Sequence, residues 1–223
     1  MTEVVLSTHN GHKAKEFREI FGAVCPDIRI LTLSDVGHNG EIEENGATFE
    51  ENAIIKASVP ASFGYIGIAD DSGLAVDHLG GDPGVRSARY AGEGCDSADC
   101  REKLLRVMAK VPESERGAGF VCVMALCLPD GCGFTVPDDL RISEELAEKT
   151  GRRADMTAVV RGECRGRITE KEQGDLGFGY DPVFFAPEFG RTFGELSAEE
   201  KNSISHRGRA AEKFAPVLAR VLK

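Results

Sequence analysis

Ile66-Gly67-Ile68-Ala69-Asp70-Asp71-Ser72-Gly73-Leu74-Ala75-Val76 is the stretch on which the reading of this chain turns. An apolar run climbs into two adjacent carboxylates, a hydroxyl and a glycine, and a second apolar run leaves. Read as a buried strand reaching a corner, it delivers Asp70 and Asp71 to the end of a sheet. Successive strand residues point to opposite faces, so one acid can line a site while the other ties down the corner. Carboxylates placed there suit Mg²⁺, a hard cation that takes oxygen ligands and keeps several waters. Read only as local chemistry, Asp-Asp-Ser-Gly is a turn closing a hairpin. The residue types alone favour the turn, and the rest of the chain shifts the balance.

Upstream, Thr48-Phe49-Glu50-Glu51 has the pattern of a capping box. It opens a helix with Ala53, Ile54 and Ala57 on one side and Lys56 among them, which Pro60 should end or kink. Lys56 either lies with its stem along the core edge or aims its charge at a site. Further upstream, Glu3 to Thr8 reads as a short buried strand and Ile28 to Leu33 as a second. Between them Phe17, Ile20 and Phe21 recur at helical spacing from Asn10 onward. The junction Ser7-Thr8-His9-Asn10-Gly11-His12-Lys13 joins strand to helix with small polar residues. A helix N-terminus binds phosphate through unpaired N–H groups and its dipole. A lysine there opposes the dipole, so Lys13 either serves an anion or is solvated while Asn10 caps the helix. Ser34 to Gly46 is a polar loop whose Glu41, Glu43 and Glu44 can bring a carboxylate to a site, or form a plain acidic loop.

Downstream, Gly80-Gly81-Asp82-Pro83-Gly84 is a loop, and a helix begins at Asp96 with Leu104, Leu105, Val107 and Met108 as its apolar face. Ala118 to Leu128 is the longest apolar run and reads as a strand covered on both faces, hence central. Residues 138–152 read as a charged surface helix, and Thr157 to Cys164 resumes the sheet. In Gly174-Asp175-Leu176-Gly177-Phe178-Gly179-Tyr180-Asp181-Pro182, three glycines around two aromatics allow a close backbone approach to a planar ligand. Two serine-rich helix starts follow in Glu195 to Gly208, with Lys201, His206 and Arg207 at the second, before a final amphipathic helix carrying Phe214, Val217, Leu218, Val221 and Leu222.

The 223 residues, 41% hydrophobic and 29% charged, are ample for a buried core. A net charge of −10 argues against a nucleic acid polymer as partner but leaves room for a small anionic ligand held by local cations. No apolar run reaches the roughly 18 residues that span a bilayer, and the chain starts straight into Val4-Val5-Leu6 without a signal pattern. The expected location is the cytoplasm, with no membrane contact. Seven cysteines without Cys-x-x-Cys spacing read as reduced thiols. No linker or repeat interrupts the chain, so one α/β domain over residues 1–223 is the simplest reading.

The junction cations Lys13, Lys56, Lys201 and Arg207 with the acids Glu43 or Glu44, Asp70 and Asp71 suit a polyphosphate with Mg²⁺. In their order these segments also resemble the inosine triphosphate pyrophosphatases. The resemblance rests on Thr8-x-Asn10-x-x-Lys13, Glu50-Glu51-Asn52-Ala53-x-x-Lys56-Ala57, Ala69-Asp70-Asp71-Ser72-Gly73-Leu74, Gly80-Gly81-x-Pro83-Gly84, Phe178-Gly179-Tyr180-Asp181-Pro182 and Lys201-x-x-x-Ser205-His206-Arg207-Gly208. It implies an elongated mixed α/β fold, a central β-sheet flanked by helices with two lobes around a substrate cleft, in a homodimer. The implied activity is Mg²⁺-dependent hydrolysis of ITP, dITP or XTP to the monophosphate and pyrophosphate.

By the same resemblance Asp71 is the general base and a metal ligand, Glu43 the second metal-associated acid with Glu44 adjacent, and Lys56 a catalytic lysine near the phosphates. Thr8, His9, Asn10, Gly11, His12, Lys13, Ser72, Phe178, Gly179, Tyr180, Asp181, Lys201, His206 and Arg207 match substrate-contacting positions. Two departures stand out: His9 replaces a glycine of the family pattern, and about residues 130–156 form a longer surface insertion. The competing readings are a nucleotide-binding module without catalysis and a pyrophosphatase for a different modified nucleotide.

Overall fold

A computed structural model describes residues 2–8, 11, 15, 17, 18, 21 and 27–223. Its seven strands are β1 (Thr2–Leu6), β2 (Ile28–Thr32), β3 (Ile66–Val76), β4 (Gly117–Cys127), β5 (Thr157–Ile168), β6 (Phe184–Ala186) and β7 (Arg191–Thr192). They form one mixed sheet in the order β2-β1-β3-β4-β5-β6-β7. β1 runs parallel to both β2 and β3, and β6 runs antiparallel to β5 and β7. β4 holds the middle position, as its run of two apolar faces predicts, with ten of its eleven residues buried.

β3 is one unbroken strand through Asp70, Asp71, Ser72 and Gly73, so the hairpin-turn reading of this stretch is set aside. Ile68 and Ala69 on one side and Leu74 and Val76 on the other are wholly buried. Burial of both apolar runs in one sheet outweighs the turn preference of the four residues between them.

Beyond the helical residues between Gly11 and Phe21, the described helices are α1 (Phe49–Ser62), α2 (Ser97–Val107), α3 (Glu144–Thr150), α4 (Ala198–Ile204) and α5 (His206–Val221). Thr48 caps α1 by accepting the Glu51 N–H at 3.1 Å. Pro60 does not stop it: the helix runs two residues further, and the Pro60 carbonyl takes the N–H groups of Phe63 and Tyr65. α1 approaches β3 at Gly67, where a Cβ would stand 2.0 Å from the Ala57 carbonyl oxygen. Only glycine permits that contact.

The chain divides into two compact units. The first comprises Met1–Asp71, Cys122–Gly162 and Ala210–Lys223, the second Ser72–Val121 and Glu163–Arg209. In the first, Val4, Leu6, Ile68, Met124, Leu126, Phe214 and Leu218 build the core with the helical residues Phe17 and Phe21. Residues 130–156, expected to be a surface insertion, belong to this unit, where α3 is capped by Ser143 and Val136, Ile142, Ala147 and Met156 are buried. In the second, Phe120 lies 4.6 Å from Phe184 and 5.7 Å from Phe193, ring centre to ring centre. The buried stripe of α2 and its end is Cys100, Leu104 and Met108, while Val107, expected on that face, is 43% exposed. Spacing of four keeps those three residues on one side of the helix. No helix among the described residues is long and apolar enough to cross a membrane.

Candidate functional site

In the first unit the centre of charge is Lys56. The helical spacing of α1 turns Asn52 and Lys56, one turn apart, to the same side, and both are buried. The Lys56 ammonium lies 2.7 Å from Asp71 Oδ1 and 3.0 Å from Glu44 Oε2. Asn52 donates from Nδ2 to Asp71 Oδ2 at 3.4 Å and accepts the Gly46 N–H on Oδ1 at 2.8 Å. Asn52 thereby ties the acidic loop to the same carboxylate that Lys56 holds. Burial works to lower the pKa of Lys56, but the charges of Asp71, Asp70 and Glu44 outweigh it and raise the pKa above the ordinary value. Lys56 is therefore a fixed cation at neutral pH. Asp70 and Asp71 are 2% and 5% exposed.

In the second unit a buried ion pair supports an aromatic surface. Lys201 Nζ lies 2.8 Å from Asp181 Oδ2, and both side chains are buried. The same oxygen accepts the Phe178 N–H at 2.8 Å, which fixes the Phe178–Asp181 turn. Burial pushes the Asp181 carboxyl above its ordinary value, and Lys201, the Phe178 N–H and Arg207 pull the other way. Gly177 makes the turn feasible: its φ is +76°, and a Cβ would stand 2.1 Å from Asp181 Oδ2. The Phe178 ring is 36% exposed. Lys201 Nζ lies 4.5 Å from its centre and the Arg207 guanidinium 5.7 Å, both within cation–π range. Arg207 donates from Nη2 to Ser72 Oγ at 3.1 Å. His206 stacks on Phe120 at 4.8 Å, with the rings 13° from parallel.

The expected site residues thus fall into two groups. Asp71 and Lys56 meet in the first unit, and Ser72, Phe178, Gly179, Tyr180, Asp181, Lys201, His206 and Arg207 lie in the second. Within that second group the hydroxyl of Tyr180 is turned into the core, donating to the Ser87 carbonyl at 2.8 Å. Thr8 follows β1 and is half-buried, and Gly11 is helical and exposed. His9, Asn10, His12 and Lys13 lie outside the described residues. Of the two acids left open in the loop, Glu44 reaches Lys56, and Glu43 is exposed.

Two features are not among the residues the sequence assigns to the site. One is Asn52; an asparagine one turn before a lysine, on a face otherwise apolar, is its signal in the sequence. The second is the aromatic bed of Phe120, Phe184 and Phe193 beneath His206. It joins Phe120 to residues more than sixty positions further on, and no local pattern announces it.

Chemically, the first group offers buried carboxylates with a fixed ammonium, which suits proton transfer and charge neutralisation at a phosphate. The second offers an exposed aromatic face edged by cations, which suits a planar electron-rich ring. The profile of the Ham1 family matches residues 4–217. A dITP/XTP pyrophosphatase of Bacillus cereus is 42% identical over 215 residues, covering 96% of this chain and 93% of the relative. A HAM1 protein of Coxiella burnetii has a similar structure, with a TM-score of 0.81 and 35% identity, covering 99% of this chain and 100% of the other. The Ham1 protein of Staphylococcus aureus superposes with a TM-score of 0.78 at 36% identity, over 98% of each chain. With both the sequence profile and the fold in agreement along nearly its whole length, the chain belongs to the Ham1 family.

Proposed function

We propose that the protein hydrolyses the noncanonical purine nucleoside triphosphates ITP, dITP and XTP to the monophosphate and pyrophosphate. One observation carries the reading: a buried Lys56–Asp71 pair at 2.7 Å, with Glu44 on the same ammonium, in a chain 42% identical to a dITP/XTP pyrophosphatase. A binding module has no need of buried acids held in this way.

The donor set fits Mg²⁺. Asp71 and Glu44 each place an oxygen within 3.0 Å of the same ammonium, so two hard donors stand around one positive charge. Mg²⁺ characteristically takes one or two carboxylates and fills its shell with waters and substrate phosphates. Asp71 with Glu43 or Glu44 would hold the ion. Bound there, it withdraws charge from the phosphate oxygens and acidifies water.

Asp71 accepts the proton of the water that attacks the α-phosphorus. Lys56, cationic throughout, faces the charge that develops on the departing pyrophosphate, and Lys13, assigned from the sequence alone, serves the same charge. Phe178 stacks on the purine, worth about 1–3 kcal/mol. A donor near C6, from the Tyr180 backbone, His206 or Arg207, accepts hypoxanthine or xanthine and faces the amino group of adenine. The protein acts in the cytoplasm as a homodimer in this reading. Incubation with ITP and Mg²⁺ should release pyrophosphate stoichiometrically with IMP; release of inorganic phosphate alone would refute cleavage at the α-phosphorus.

A further inference from the structure

In the second unit the sulfur atoms of Cys95 and Cys100 are in contact at 3.4 Å. Cys100 lies in the first turn of α2 and is 2% exposed; Cys95, one residue before the Asp96 cap, is partly exposed. Both thiols also lie 3.9 Å from the Ala88 carbonyl oxygen. A disulfide needs about 2.05 Å between the sulfurs, a closure of about 1.3 Å from where they stand. Cys100 lies with Tyr180 in the buried core of this unit. Its neighbour Arg101 donates from Nη1 to the Gly179 carbonyl at 2.8 Å and from Nε to Glu172 at 2.9 Å. Arg101 therefore ties α2 to Gly179, the neighbour of Tyr180.

We propose that Cys95 and Cys100 form an oxidisable dithiol, a modification site for peroxides, whose disulfide weakens nucleotide binding by shifting the start of α2, and with it the Arg101 contact to Gly179. The site and its chemistry stand on the geometry; the effect on binding rests on the function proposed above. The Cys95 thiolate, the more accessible of the two, attacks a peroxide oxygen and breaks the O–O bond, leaving a sulfenic acid and hydroxide. Cys100 then attacks the sulfenic sulfur and expels a second hydroxide. Two thiols lose two protons and two electrons, and hydrogen peroxide becomes two waters. Cys122, Cys127 and Cys164 are buried in the cores, so they are shielded from the same attack.

Both cysteines fall in one tryptic peptide, Tyr90–Arg101, since cleavage follows Arg89 and Arg101. The full chain is treated with hydrogen peroxide at mildly alkaline pH, because the hydrogen bond to Cys100 pushes the Cys95 thiol above its ordinary range. Free thiols are then alkylated and the peptide is weighed without reduction. The expected result is a peptide lighter by two hydrogens with no alkylation, and a rise of about tenfold in KM for ITP with kcat nearly unchanged. A dithiol reductant restores both values. Cys95→Ser keeps the low KM through the same treatment. A doubly alkylated peptide after peroxide, or equal loss of affinity in Cys95→Ser, overturns the proposal, and a disulfide without a change in KM overturns its effect on binding. Should the reduced protein release no pyrophosphate from ITP, the functional reading falls while the peptide mass still decides the dithiol.

Discussion

Lys201→Met is the sharpest test of the second unit's chemistry. Methionine keeps most of the stem and removes the ammonium that stands 2.8 Å from Asp181 Oδ2, with the two side chains 8% and 3% exposed. Deleting one partner of a buried ion pair costs about 3–5 kcal/mol, because the other charge is left buried. The Phe178 N–H still bonds Asp181, and Arg207 still attracts it, so the lower end, about 3 kcal/mol, applies. For a chain of this length that corresponds to a fall in Tm of roughly 6–12 °C.

The pH dependence has a definite sign. Burial already holds the Asp181 carboxyl above its ordinary value in the folded protein, and loss of Lys201 raises it further. A carboxyl whose folded pKa exceeds the unfolded one binds its proton more tightly when folded, so stability falls as pH rises through the folded value. The variant's deficit is therefore full above that value and fades as pH falls toward the ordinary carboxylate range. Thermal melts of both proteins across this range measure it. Adding Asp181→Asn to Lys201→Met should recover most of the stability at neutral pH. A deficit that is the same at both ends of the range, or a double variant no better than the single, would refute an ion-pair origin.

Three further outcomes follow from named contacts. Asp71→Asn should lower pyrophosphate release from ITP by about 10²–10⁴ while the chain stays folded; near wild-type turnover would remove Asp71 as the base. ITP and XTP should turn over far faster than ATP, and equal rates for ATP and ITP would contradict recognition at C6. Gly67→Ala should cost about 1–3 kcal/mol in urea unfolding, because its methyl meets the Ala57 carbonyl oxygen at 2.0 Å.

The strands were legible because burial writes itself into local pattern. Ala118 to Leu128 is apolar at odd and even positions alike, and it is the middle strand of seven. Thr48, Asp96 and Ser197 each cap the helix that follows, as short polar side chains before an apolar run predict. Ile66–Val76 is the instructive difference: the residue types of a turn lie in the middle of an eleven-residue strand. Local preference of a few tenths of a kcal/mol per residue yields where both flanking runs are buried.

For the site, the sequence by itself determined which residues carry charge and which segments present them: a lysine on α1, paired acids in β3, an aromatic-glycine loop, and a lysine and an arginine at the last two helices. It also determined the family, since spaced motifs survive in order along the chain. Only the tertiary structure decided partners. That Glu44 reaches Lys56, that Asn52 ties the loop to Asp71, and that Asp181 binds Lys201 and the Phe178 N–H all depend on side chains brought within about 3 Å across long sequence separations. Hydrogen bonds and ion pairs have that reach and no more, so their pairing is fixed by how strands and helices pack, not by the residue types alone.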